Sequence, residues 1–210
     1  AMVQGCRVCR DWKRPGPTNV ATIRMVENFN EEVQFDLMFY ESLIDKKRGR
    51  LPIIHLIDAC IRWSTTAIVA SREEEELTMG ISRAWISTFG SMTTLVQDGE
   101  TGMRGQLALD WALANAITLK FKAPRQKAWL VERGNEILRQ ALHKTETQLL
   151  QEDLTSISVE CTLAMVTFMK NSLTVIGTST PYQALLGRQP LILPPQEGGT
   201  TAQQNGGTAV

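Results

Sequence analysis

Hydrophobic and polar positions alternate most cleanly over residues 32 to 41. Val33, Phe35, Leu37 and Phe39 fall on one side of an extended chain, with Gln34, Asp36, Met38 and Tyr40 on the other. Period two over that length predicts a β-strand with Asp36 pointing away from the more apolar face. A charged turn over Ile44 to Arg50 closes on Gly49. Leu51 to Ala59 and Trp63 to Ala70 are apolar and rich in β-branched residues, which predicts two further strands joined near Asp58 to Arg62. Three strands in succession imply an antiparallel meander. In this reading Asp58 shapes the turn, and His55 is a packed strand residue rather than a ligand.

Beyond Ala70 the hydrophobic period lengthens. Ser71-Arg-Glu-Glu74 has the S-x-x-E form of a capping box and predicts a helix to about Phe89, ended by Gly90. The four consecutive glutamates Glu73 to Glu76 fit a solvated first turn, where the helix dipole favours negative charge. Met92 to Gln97 predicts a short strand with Asp98 at its C-terminal end, just before a glycine-containing loop. A helix over Gln106 to Ala116 and a strand over Ile117 to Phe121 follow, then a basic loop broken by Pro124.

From Trp129 a helix is predicted to about Gln151. Ile137, Leu138, Ala141, Leu142 and Leu149 fall at the spacing of a buried stripe, and Glu132, Glu136, Arg139 and His143 share a more polar side. Another helix is expected over about Ser156 to Lys170. Thr180-Pro-Tyr-Gln183 predicts a capping box with proline at the first helical position, and Gly187 ends that short helix. Beyond Pro195 the chain offers little to bury and is expected to be disordered. A meander followed by alternating helix and strand gives an α/β class with a mixed sheet.

Composition adds limits rather than a function. The 210 residues suffice for one good-sized domain, and 43% hydrophobic content is ordinary for one with a core. Lys plus Arg and Asp plus Glu each number 22, so any nucleic-acid surface must come from local segregation of charge. Bases cluster at Arg7 to Arg14, Lys46 to Arg50 and Lys120 to Lys127. The chain contains no apolar run of 18 residues, so no transmembrane helix is expected, and no secretory leader is recognisable. Of four cysteines, Cys6 and Cys9 form a C-x-x-C that offers half of a tetrahedral zinc site or simply two free thiols.

Three acids carry the candidate chemistry. Asp36 and Asp98 are embedded in or end apolar, strand-like runs, where an unpaired charge is expensive and a shared divalent cation is one solution. Glu132 lies on the first turn of the long helix, where a carboxylate is also simply a good dipole partner. Around it stand Lys120, Lys122, Arg125, Lys127 and Arg133. Thirty-three residues separate Asp98 from Glu132, counted as 132 − 98 − 1. The order Asp36, Asp98, Glu132, together with Val131-Glu-Arg-Gly-Asn135 and Thr180-Pro-Tyr-Gln-Ala-Leu-Leu-Gly-Arg-Gln-Pro190, resembles the D,D,E catalytic core of retroviral and retrotransposon integrases. The likeness covers roughly residues 6 to 190.

The resemblance implies a ribonuclease-H-like fold, a five-stranded mixed sheet flanked by helices. It implies a chain drawn from a Pol polyprotein, divided as a remnant of a zinc-binding domain and linker (1–17), a catalytic core (18–190) and a disordered tail (191–210). Zn²⁺ would bind Cys6 and Cys9 only together with a histidine pair that the family carries upstream. Asp36, Asp98 and Glu132 would be the catalytic acids and would hold Mg²⁺ or Mn²⁺. Two such ions suit phosphoryl transfer because they neutralise charge and hold the attacking and leaving oxygens in line. The implied activity trims the 3′ ends of retroelement DNA and joins them to target DNA. That activity implies a homo-oligomer acting in the nucleus. Lys120, Lys122, Arg125, Gln126, Lys127 and Arg133 would contact DNA.

Two departures stand out: Asp98-Gly-Glu replaces the family's D-N-G, and Trp129 stands where the family often has glycine. Trp129 is read either as a base-stacking residue or as a core anchor of its helix. Two other readings stay open, a decayed or domesticated copy that binds DNA without catalysis and a ribonuclease-H-type nuclease.

Overall fold

The computed structural model describes residues 26–97, 102–122 and 129–191. Five strands form one sheet: β1 (Glu32–Glu41), β2 (Arg50–Asp58), β3 (Ser64–Ile68), β4 (Thr94–Gln97) and β5 (Thr118–Phe121), in the order β3-β2-β1-β4-β5. The first three pair antiparallel, while β4 lies parallel to β1 and β5 parallel to β4. This is the mixed five-stranded sheet expected from the alternation of elements. The central place of β1 explains why both its faces are covered. Val33 and Phe35 are fully buried on one face, and Met38 and Tyr40 are buried on the other.

Helix α1 (Glu74–Ile81) runs on through a π-helical segment at Ser82–Ile86 into a last turn at Ser87–Phe89, and Gly90 ends it with a positive φ of 76°. Its start differs from the expected capping box. Glu73 occupies the N-cap and makes no side-chain cap bond, while Ser71 Oγ accepts only from the backbone N–H of Glu73. The glutamates are also more than a solvated turn. The Glu74 carboxylate accepts from the backbone N–H groups of Arg104 and Gly105, at the start of α2 (Gln106–Ala114). One acid thus supplies an acceptor where a helix N-terminus has orphan donors. Strands β3, β4 and β5 and helix α2 are each shorter than the apolar pattern suggested, because their ends turn away into loops.

Two helical layers enclose the sheet. On one side α1 and α2 cover a core of Val33, Phe35, Leu56, Leu77, Trp85 and Leu95 with their neighbours. On the other side lie α3 (Trp129–Gln151) and α4 (Val159–Leu173), over Met38, Tyr40, Ile53, Leu138, Leu142, Leu163 and Val166. The α3 stripe is more polar than the spacing of its leucines implied. Ile137 is exposed, whereas Asn135 and Glu146 are buried beside Leu138, Leu142 and Leu149. Helix α4 starts three residues later than expected, capped by Ser158, whose hydroxyl accepts from Cys161 N–H.

The short helix α5 (Pro181–Leu186) has the predicted box: Gln183 N–H donates to Thr180 Oγ1 at 3.2 Å, and Thr180 N–H to Gln183 Oε1 at 2.9 Å. Gly187 takes the left-handed cap that releases the chain. Asp58 shapes its turn as expected. One oxygen accepts from Cys60 and Ile61 N–H, the other from Asn30 N–H, and burial nevertheless raises its pKa. No helix among the described residues is long and apolar enough to cross a membrane.

Candidate functional site

Asp36 lies midway along β1 on the face that α3 covers, and it is half-buried. Its Oδ1 accepts from Leu37 N–H at 2.9 Å, and its Oδ2 accepts from Asn135 Nδ2 at 2.7 Å. The second bond joins residues 99 positions apart and fixes where α3 crosses the sheet. Glu132, half-buried on the first turn of α3, precedes Asn135 by three residues. Residues three apart are neighbours on a helix surface, about 5–6 Å between Cβ atoms. The turn that carries Glu132 is therefore the turn that is bonded to Asp36.

Asp98 lies outside the described residues. The residue before it, Gln97, ends β4 and is registered against Phe35, the residue before Asp36. Gln97 is fully buried and donates to the Met103 carbonyl at 3.1 Å. Cys6, Cys9, Arg125, Gln126 and Lys127 also lie outside the described residues. Among the described residues no three His, Cys, Asp or Glu side chains group closely enough to hold a metal ion.

The expected DNA-contacting bases have different settings. Lys120 is exposed on the edge strand β5, and Lys122 follows that strand, its N–H bonded to the Gln97 carbonyl at 3.0 Å. Arg133 is exposed and pairs with Glu136 of its own helix at 3.6 Å. Farther along, the ends of β1 and β2 and the third to fifth turns of α3 border a cleft of about 540 Å³. Arg50, Arg139, His143 and Lys144 line it with Phe39 and Tyr40, and the Arg50 guanidinium sits 4.8 Å from the Phe39 ring centre.

Behind Asp36 is a buried polar group that the sequence did not mark as a site. Asn135 Oδ1 lies 2.6 Å from His55 Nδ1, and His55 Nε2 lies 3.3 Å from Ser64 Oγ. Lys170 Nζ donates to the same Ser64 hydroxyl, while Asn171 clasps the Ser64 backbone with bonds of 2.9 and 2.8 Å. His55 is thus packed in its strand as expected, but with polar partners on both ring nitrogens. Burial, then the nearby Lys170 charge, holds its pKa down to about 3 against the pull of the Asn135 bond. Burial and Arg62 lower Lys170 to about 8.

Gly134 permits the close approach. A Cβ there would lie 2.7 Å from His55 Cε1 and nearer still to Ile57 Cδ1, so any side chain would have to displace the His55 ring and Ile57. The signal for this group was present in the motif Val131-Glu-Arg-Gly-Asn135, whose last two positions are the glycine and asparagine that seat the helix.

No protein-family model matches the chain, and no curated protein matches it. Solved structures do. A chain of the simian T-cell lymphotropic virus intasome, in complex with PP2A regulatory subunit B56 gamma, matches with a TM-score of 0.69 at 19% identity, over 97% of this chain and 70% of that one. The HTLV-2 integrase catalytic core in complex with magnesium, in its dimeric form, matches at 0.62 and 19% identity, over 76% and 98%. The catalytic core of BIV integrase matches at 0.57 and 15%, over 75% and 95%. The chain therefore has the ribonuclease-H-like fold of integrase catalytic cores.

Proposed function

We propose that this chain is the catalytic core of a retroelement integrase, a polynucleotidyl transferase that trims the 3′ ends of element DNA and joins them to target DNA. The observation that carries this reading is the Asn135–Asp36 bond, because it brings the helix turn bearing Glu132 over the strand bearing Asp36. The fold shared with the HTLV-2 core solved in complex with magnesium supports divalent-metal use.

Asp36 and Glu132 offer the hard carboxylate oxygens that Mg²⁺ or Mn²⁺ takes, and Asp98 would complete the set. An ionised carboxylate has about four acceptor sites, so the bonds from Leu37 and Asn135 are compatible with metal ligation at Asp36. When bound, such ions would lower the pKa of a water or hydroxyl nucleophile and neutralise charge on the phosphate. The chain's own residues supply position. Asn135 holds the Asp36 carboxylate at one angle to the sheet, and the α3 dipole favours the anion at Glu132. Lys120 and Lys122 on one side, and Arg50, Arg139 and Lys144 on the other, offer cations for two stretches of phosphate backbone. The dimeric and trimeric forms of the HTLV-2 core support a homo-oligomer, and joining to target DNA implies action in the nucleus.

A strand-transfer assay with the element's own terminal DNA tests the reading. Wild-type protein should join ends in Mg²⁺ or Mn²⁺, and Asp36→Asn, Asp98→Asn and Glu132→Gln should each abolish joining while remaining folded. Hydrolysis without joining would identify a nuclease instead. DNA binding with neither cleavage nor joining would identify a copy that has lost catalysis.

A further inference from the structure

Five side chains from five different elements stand in a single file: Lys170 on α4, Ser64 on β3, His55 on β2, Asn135 on α3 and Asp36 on β1. The chemistry of the two ends dictates the direction of every bond between them. A carboxylate only accepts, so Asn135 must turn its Nδ2 to Asp36. Its Oδ1 then faces His55 and needs a donor, which makes Nδ1 the protonated nitrogen of that ring. A neutral imidazole carries one proton, so Nε2 is left as an acceptor for the Ser64 hydroxyl. Ser64 Oγ can spend its proton this way because Lys170, which only donates, supplies the bond to its lone pair. Each donor points towards Asp36, from a cation at one end to an anion at the other. Bonds aligned in this manner polarise and strengthen one another.

We propose that His55 is a positioning residue for Asp36: held as the Nδ1–H tautomer by Ser64 and Lys170, it locks the Asn135 amide in the one orientation that grips the Asp36 carboxylate. A ring protonated on Nε2 would put a lone pair against Asn135 Oδ1. The amide would then turn over and present its oxygen to Asp36, repelling the group it now holds. The fully buried setting of His55 and the missing side chain at Gly134 serve this contact, since they bring α3 near enough for a 2.6 Å bond. Partners of this kind, once removed from the ligand itself, typically change metal affinity about 10–100-fold when they are mutated. The inference rests on Asp36 being a metal ligand only for its consequence, because the lock itself exists in the protein alone.

The test uses the 210-residue chain and two neutral replacements. In asparagine the amide nitrogen sits on Cγ, as Nδ1 does in histidine; in glutamine it lies one bond farther out, nearer the place of Nε2. His55→Asn should therefore keep the donor to Asn135, and His55→Gln should lose it. In metal-free protein the Asn135 side-chain amide protons should exchange slowly in wild type and His55→Asn and rapidly in His55→Gln. Titration with Mn²⁺ alone should show His55→Asn near wild type and His55→Gln weakened by about tenfold or more. Nitrogen NMR of wild-type His55 at neutral pH should find the proton on Nδ1, a measurement that needs no variant to fold. A proton on Nε2, or an Asn135 amide equally protected in both variants, would overturn the lock. Failure of even the wild type to bind Mn²⁺ would instead count against the assignment of Asp36 as a ligand, while the amide and tautomer measurements would still decide the role of His55.

Discussion

The Tyr40 hydroxyl donates a 2.8 Å hydrogen bond to Glu146 Oε2, tying β1 to a point 106 residues later on α3. The same buried carboxylate accepts from Ser42 Oγ at 2.7 Å and Leu43 N–H at 2.7 Å, so it holds the chain where β1 ends. Burial and the adjacent carboxylate push the Tyr40 phenol well above its usual range. Glu146→Leu should destabilise the fold by at least about 2 kcal/mol, because it leaves three donors without an acceptor. Tyr40→Phe should cost only about 1 kcal/mol, since the other two donors remain. Urea denaturation of both variants measures the contrast.

Gly134→Ala should destabilise although alanine is the better helix former by about 1 kcal/mol. The added methyl meets Ile57 Cδ1 and the His55 ring, and overpacking of this kind costs about 1–3 kcal/mol. Ile57→Val removes the nearer atom. In a double-mutant cycle the alanine should therefore be less harmful on the valine background.

Acid should weaken the fold through His55. In the unfolded chain its pKa is about 6.5; in the folded protein burial and Lys170 hold it down to about 3. Between these values the unfolded state binds the extra proton, so stability falls as pH drops from about 6.5 towards 3. Urea midpoints from pH 7 to pH 4 should fall more steeply for wild type than for His55→Asn.

Lys170 produces the opposite limb. Its folded pKa of about 8 lies below the ordinary lysine value of about 10.4, because burial and Arg62 disfavour the charge. Below pH 8 both states carry the proton and the cost of the buried charge is fully present. From about 8 to 10.4 the unfolded state alone retains it, and stability should rise through this window. The wild-type curve minus that of Lys170→Met should show the rise.

On DNA, Lys120→Ala combined with Lys122→Ala should weaken binding alike for all sequences. The log–log salt slope should become shallower by about one unit for each phosphate that no longer meets a lysine. Binding measured from low to moderate salt gives the slope, and an unchanged slope would place the phosphate-binding surface away from β5.

Local pattern made the scaffold legible. Period-two alternation placed β1 over its observed span, and the helical stripe bounded α3 at Trp129 and Gln151. Thr180, Pro181, Gln183 and Gly187 announced α5, because all its terminal bonds are local. What escaped depends on partners distant in sequence. Ser71 offered a plausible cap, but Glu73 took the position once Glu74 was drawn to the start of α2. Ile137 has the right spacing for burial, yet the stripe turned to place Asn135 and Glu146 inward, towards acceptors and donors some hundred residues earlier. Asp36, Glu132 and the motif carrying Asn135 could be singled out from sequence, whereas the rest of the file could not. Its other members are individually an ordinary strand histidine, a loop-edge serine and a lysine in an apolar helix.

The separations between bonded residues also decide the order in which the two layers can form during synthesis. Asn135 lies 99 residues after Asp36, and Asn171 lies 107 after Ser64. A nascent chain that has emerged only as far as β5 already contains all five strands and the two helices of the opposite layer, so that half can condense first. The face bearing Asp36 stays uncovered until α3 and α4 have been made, and contacts of such long reach form late because the intervening chain must be closed first. The proposed centre at Asp36 and Glu132 is therefore incomplete until α3 has been made. The same delay leaves one apolar sheet face exposed for the interval, which makes this stage the one at which a chaperone would be needed.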